Sequence, residues 1–165
     1  MRYVDDIEKL GMADAEEAGG KGANMGEMVA AGLPVPPGFD LEEISSGETA
    51  SDRYQLGARV TGAVSCEWLD RYVAAERAGD QETADASVEA MSTSRDWPIL
   101  QEMESQGGWS QVVWEISEEL SAGELNTGVA GTETYPGGKV FEFGPAYATA
   151  LGCDSEYRRP RTDGE

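Results

Sequence analysis

Gly19-Gly20-Lys21-Gly22 is the stretch with chemical content. Adjacent glycines let a backbone turn tightly and bring its amides close to a ligand. The next residues, Ala23, Met25, Met28, Val29 and Ala30, have helical spacing and predict a helix from about Gly22 to Ala31. A helix beginning there would aim unsatisfied N–H groups and the positive end of its dipole at the glycine turn. Lys21 adds a mobile charge able to follow a phosphate. Together these residues make an anion cradle. As a bare pattern it lacks the spacing G-x-x-x-x-G-K-[ST] of a phosphate-binding loop. On the pattern alone, the simpler reading is a glycine turn before a helix, with a solvated lysine.

The elements that must position the cradle read in order along the chain. Met1 to Val4 could open a short strand, and Ile7 and Leu10 could form one helical turn. Gly32 sits where a C′ glycine would end the helix, Leu33 folds back on the last turn, and Pro34 stops continuation. The prolines of PVPPGF keep that stretch extended or turning. Residues 41–57 are a polar stretch of Ser, Glu and Gly. From about Arg59 to Ala78 the residues Val60, Val64, Trp68, Tyr72 and Val73 share a helical face, ended by Gly79-Asp80. Gln81 to Met91 predicts a second helix. A third carries Pro98 in its first turn and takes Ser94 or Asp96 as its cap. A fourth, capped by Ser110, runs through Trp114 and Leu120 until Gly123. Short connections favour antiparallel neighbours. The expectation is a mainly α protein, a short strand-loop-helix unit followed by a small four-helix bundle. Its divisions are 1–40, a linker at 41–57, an acidic helical module at 58–153 and a tail at 154–165. Residues 123–139 read as a Gly/Thr-rich loop, with a turn at Gly137-Gly138-Lys139.

The chain's 165 residues carry 32 Asp and Glu against 12 Lys and Arg, a formal net charge of −20. A carboxylate sheath of that size repels phosphate backbones and anionic lipid, so neither nucleic acid nor a membrane surface is an expected partner. The cluster Arg158, Arg159 and Arg161 is too small to reverse the field. Nine of the basic residues are Arg and three are Lys, a balance that resembles proteins from salt-accumulating microbes. No apolar run approaches membrane-spanning length, and the acidic start is unlike a secretory signal. A cytoplasmic location is the expectation.

Histidine is absent, which removes a Ser-His-Asp triad, imidazole metal ligands and phosphohistidine chemistry. Cys66 and Cys153 have no metal-like spacing; Cys66, in VSCEWL, reads as a buried inert thiol, and a cytosolic setting disfavours its pairing with Cys153. Trp68, Trp97, Trp109 and Trp114 read as core packing rather than a pocket lining. Glu115, Glu118 and Glu119 share a helix face at i, i+3 and i+4, but in so acidic a chain they read as a solvated face, and no metal site is assigned. Glu67, Asp70, Arg71 and Glu76 read as an exposed face with local pairing. With 32 acids, no pair of carboxylates stands out for glycoside hydrolysis.

The run GGKGANMGEMVAAGLPVPPGF, with IEKLGMADAEEAGGK leading into it, resembles the opening of the pyruvate phosphate dikinase and phosphoenolpyruvate synthase family over about residues 3–39. The resemblance implies the start of an ATP-grasp nucleotide-binding domain, with Lys21 contacting nucleotide phosphates among Gly19, Gly20 and Gly22, and with ATP and Mg as cofactors. It also sets a limit. The family's nucleotide domain is longer than this chain, its swivelling domain carries a catalytic histidine, and residues 59–153 resemble no part of it. The expectation is therefore a truncated or split relative with at most a residual ATP-phosphate-binding segment, not active alone, whose reaction when complete would be ATP-dependent phosphotransfer. The alternative is a non-enzymatic acidic helical module for protein interaction. Its candidate partners are a nucleotide or another protein chain.

Overall fold

Apolar residues repeat at helical spacing through Leu56, Val60, Val64 and Trp68, and a 26-residue helix, α1 (Arg53–Ala78), follows that stripe. The protein is seen in a computed structural model that describes residues 32–39 and 53–153. After α1 come α2 (Gln81–Ser92), a 3-10 turn (Ser94–Asp96), α3 (Pro98–Glu104) and α4 (Trp109–Ala122). A hairpin of β1 (Val129–Thr134) and β2 (Val140–Pro145) leads directly into α5 (Ala146–Leu151). The described residues are thus mainly helical. The expected strand at Met1–Val4, the helix at Gly22–Ala31, most of the 41–57 linker and the tail beyond Asp154 lie outside the described residues.

One buried cluster joins the elements. It takes Leu56, Val60, Val64, Trp68 and Leu69 from α1, Met91 from α2, and Ile99, Leu100 and Met103 from α3. Val113, Trp114, Ile116 and Leu120 come from α4, with Tyr147, Ala148 and Leu151 from α5. Trp68, Trp97 and Trp114 are core rings, as their spacing predicts, and Trp109 packs half-buried against the cluster. Each indole N–H finds an acceptor, which a buried ring needs. Trp97 donates to Thr93 Oγ1 at 2.9 Å, Trp109 to Thr61 Oγ1 at 2.9 Å and Trp114 to the Ser94 carbonyl at 3.0 Å.

Several local expectations need correction. α1 begins at Arg53, about six residues before the expected start, because Leu56 and Gly57 are already buried against the core. Neither Ser94 nor Asp96 caps α3. Trp97 holds that position without a side-chain hydrogen bond, while Pro98 opens the first turn as expected. Ser110 does not cap α4 either: Gly108 stands there, and the buried Ser110 hydroxyl donates to the Leu100 carbonyl of α3. A buried hydroxyl must be satisfied, and the tertiary acceptor outcompetes the local one. Gly123, at φ 72°, ends α4 in the left-handed region that glycine favours.

The Gly/Thr-rich loop is in part a β-hairpin. Gly131 faces Phe143, Thr132 faces Glu142 and Thr134 faces Val140 in antiparallel register. The expected turn at Gly137-Gly138 is its tip, with both glycines at positive φ and Tyr135 N–H closing the loop on the Lys139 carbonyl at 2.8 Å. β1 is almost wholly exposed, so it carries little of the apolar alternation by which a strand is usually read.

Cys66 is not a free thiol. It is joined to Cys153, which directly follows the α5 cap, with the two Cα atoms 5.8 Å apart. That separation lies in the range a disulfide requires. The return of the chain through the hairpin and α5 brings together two residues 87 apart in sequence. α5 is held on α1 a second way, by the Tyr147 hydroxyl donating to Asp70 Oδ1 at 2.6 Å.

Asp80 caps α2, accepting from Thr83 N–H at 3.2 Å and Thr83 Oγ1 at 2.7 Å. The Thr83 hydroxyl, and after it the Thr83 N–H, holds the Asp80 carboxyl below its ordinary value of 3.8. A carboxyl whose folded pKa is depressed contributes stability above its unfolded pKa and loses that contribution as pH falls through the folded value. Asp80→Asn keeps a capping acceptor and removes this titration. The gap in urea midpoint between wild type and Asp80→Asn should therefore be constant above pH 3.8 and narrow below it. A gap that stays constant into strong acid would contradict this role.

Candidate functional site

The cradle residues Gly19, Gly20, Lys21 and Gly22 lie outside the described residues. The downstream end of the same segment, Gly32–Phe39, is described and is seated against α1. Pro34, Pro36 and Pro37 fix φ and remove three N–H donors, so the stretch 34–37 offers a partner four carbonyls and one N–H, that of Val35. Leu33 is 5% exposed and belongs to the core cluster, Pro36 is fully buried, and Val35 and Phe39 pack against the cluster half-buried. Phe39 N–H donates to the Pro36 carbonyl at 3.1 Å. The turn this closes has Pro37 followed by Gly38 at φ 75°, the positive φ that a type II turn requires at its third residue.

α1 supplies the polar grip. Trp68 Nε1 donates to the Pro34 carbonyl at 2.7 Å, and the Arg71 guanidinium donates to the Pro37 carbonyl. Arg71 is itself fixed by Glu67, whose Oε1 accepts from its Nε at 2.8 Å, and it lies 5.9 Å from the centre of the Trp68 ring. Glu67 and Arg71 do pair locally, as expected of i, i+4 neighbours. The expectation of a simply exposed face fails for Arg71 and Asp70, since both reach partners distant in the chain. Trp68 and Arg71 were legible as residue types. Their shared target was not, because it lies 34 residues upstream.

The carboxylate row on α4 behaves as a surface. Glu115, Glu118 and Glu119 are exposed, and Glu118 pairs with Arg95. Among the described residues, no group of three His, Cys, Asp or Glu side chains gathers closely enough to hold a metal ion. No described helix is long and apolar enough to cross a membrane. The described seat offers donors and apolar contacts to an extended chain.

Comparison with known proteins agrees with the segment resemblance. The chain is 59% identical over 39 residues to a probable phosphoenolpyruvate synthase of Methanothermobacter thermautotrophicus, covering 24% of this chain and 6% of that protein. It is 55% identical over 38 residues to the phosphoenolpyruvate synthase of Pyrococcus furiosus, 23% of this chain and 5% of that protein. A probable phosphoenolpyruvate synthase of Methanocaldococcus jannaschii is 51% identical over 39 residues, 24% of this chain and 3% of that protein. The matched part thus spans about 6% of the length of the first of these relatives. No family model matches the chain, and no solved structure matches it.

Proposed function

We propose that residues 3–39 are an ATP-phosphate-contacting segment of the phosphoenolpyruvate synthase kind, carried by the acidic helical module. In this reading the backbone amides at Gly19, Gly20 and Gly22 and the Lys21 ammonium hold nucleotide phosphates by charge and hydrogen bonding. The segment by itself completes no phosphotransfer. The observation that carries the proposal is the 59% identity over 39 residues. Magnesium would accompany ATP as its counter-ion. Among the described residues no group of three His, Cys, Asp or Glu side chains could hold it.

Net charge −20 repels a polyanionic ligand across the whole surface. Molar salt shortens the screening length from about 10 Å at 0.1 M to about 3 Å at 1 M. Nucleotide binding should therefore be sought at high as well as low potassium chloride. A salt-rich cytoplasmic setting belongs to the same proposal, with the condition that local redox poise keeps Cys66–Cys153 formed.

The test is thermal unfolding with saturating Mg-ATP. A ligand at a hundred times its Kd stabilises the folded state by about 2.7 kcal/mol. Wild type should gain a nucleotide-dependent rise in Tm, Lys21→Ala should lose it, and Lys21→Arg should keep part of it. An equal rise in wild type and Lys21→Ala would remove Lys21 from the site. The second reading, a protein-interaction module, is favoured by one feature: α1 already grips an extended segment through Trp68 and Arg71.

A further inference from the structure

We propose that α1 carries a recognition site for extended segments of the pattern Leu-Pro-x-Pro-Pro, occupied in this chain by its own residues 32–39. The proposal stands whether or not a nucleotide binds at Lys21. Its basis is a match between what a proline-rich strand lacks and what α1 provides.

Across residues 34–37 the segment has four backbone acceptors and a single backbone donor, that of Val35. Indole and guanidinium groups are donors only, so Trp68 and Arg71 suit such a ligand and serve an ordinary strand less well. The spacing matches too. An extended proline-type helix has three residues per turn, so the carbonyls of Pro34 and Pro37 leave the segment on the same side. Residues i and i+3 share one face of an α-helix, so Trp68 and Arg71 leave α1 on the same side. One donor therefore meets one carbonyl at each of two positions, three residues apart on both partners. Between the two hooks, Pro36 is fully buried, and Leu33 next to the first hook enters the core. Glu67 steadies the guanidinium at 2.8 Å, limiting the rotamer freedom that a long side chain loses on binding. Prolines restrict the free segment in advance, which lowers the ordering cost of docking.

The site can be tested by emptying it from within the full chain. Leu33→Asp with Pro36→Asp places carboxylates where two buried side chains now sit. A labelled eight-residue peptide, Gly-Leu-Pro-Val-Pro-Pro-Gly-Phe, is then titrated by fluorescence anisotropy. Saturable binding is expected to the emptied chain and none to wild type, whose seat is filled. Adding Trp68→Phe or Arg71→Gln to the emptied chain should weaken binding roughly tenfold each. A peptide with alanine at all three proline positions should bind more weakly than the original. An emptied chain that keeps its helical circular dichroism but fails to bind peptide at millimolar concentration would overturn the proposal. Equal affinity with and without the Trp68 and Arg71 changes would do the same. Should the emptied chain not fold, the Trp68 indole proton of wild type provides the deciding measurement. Slow exchange with deuterated solvent is expected, and exchange at the rate of a free indole would overturn the occupied seat.

Discussion

Trp114→Ala should cost about 3–5 kcal/mol of folding stability, the range for deleting a large buried ring from a packed core. The ring is 4% exposed and sits among the core residues of α4. Its N–H satisfies the Ser94 carbonyl at 3.0 Å, tying α4 to the turn before α3. Arg95 lies over its outer face, 5.0 Å from the ring centre, and pairs with Glu118 farther along α4. Truncation therefore opens a cavity, leaves a carbonyl without its donor and removes the surface on which Arg95 rests. Trp114→Phe keeps most of the apolar area and loses only the donor, so its cost should be about 1–3 kcal/mol. Urea midpoints with an unchanged slope would report both losses directly. A near-neutral Trp114→Ala would place the ring on a surface and contradict the packing described.

Removing the Cys66–Cys153 link is the second large effect. The bond closes a loop between residues 87 apart, and in the chain-entropy account a loop of that size destabilises the unfolded ensemble by about 4.5 kcal/mol. The Cys66→Ser, Cys153→Ser double variant should lose stability of that order. A reductant should shift the wild-type midpoint to match and leave the double variant unmoved. The chain just after α5 loses its covalent tie to α1, so loosening should begin at this end of the molecule, against the buried Tyr147, Ala148 and Leu151 and the Tyr147–Asp70 hydrogen bond that remain. Intact mass under non-reducing conditions gives an independent check, because the bonded chain is lighter by two hydrogens. Identical midpoints with and without reductant would contradict a structural disulfide.

The helices were legible because their signals are local. Apolar spacing from Val60 to Trp68, proline in the first turn of α3 and glycine at 123 each act within one or two turns. The hairpin was harder to read because β1 buries almost nothing. The capping serines misled for two reasons. The Ser110 hydroxyl found a tertiary acceptor, the Leu100 carbonyl of α3, and Ser94 opens the 3-10 turn that precedes α3, so Trp97 takes the cap position. The disulfide and the seat for residues 32–39 were out of reach for a simpler reason. Each joins residues that only the folded chain brings together, 87 positions apart in one case and 34 in the other. The glycine–lysine segment shows the reverse. Its pattern alone permits a plain turn, and its meaning rests on likeness to phosphoenolpyruvate synthases over 39 residues.

The most direct test of the proposed function is titration calorimetry with Mg-ATP, run in low and in multimolar potassium chloride on wild type and Lys21→Ala. Heat should saturate for wild type, strengthen as salt screens the net charge of −20, and disappear in the variant. Absence of heat from the wild-type protein in either salt would contradict it, leaving residues 3–39 a structural segment on an acidic helical protein.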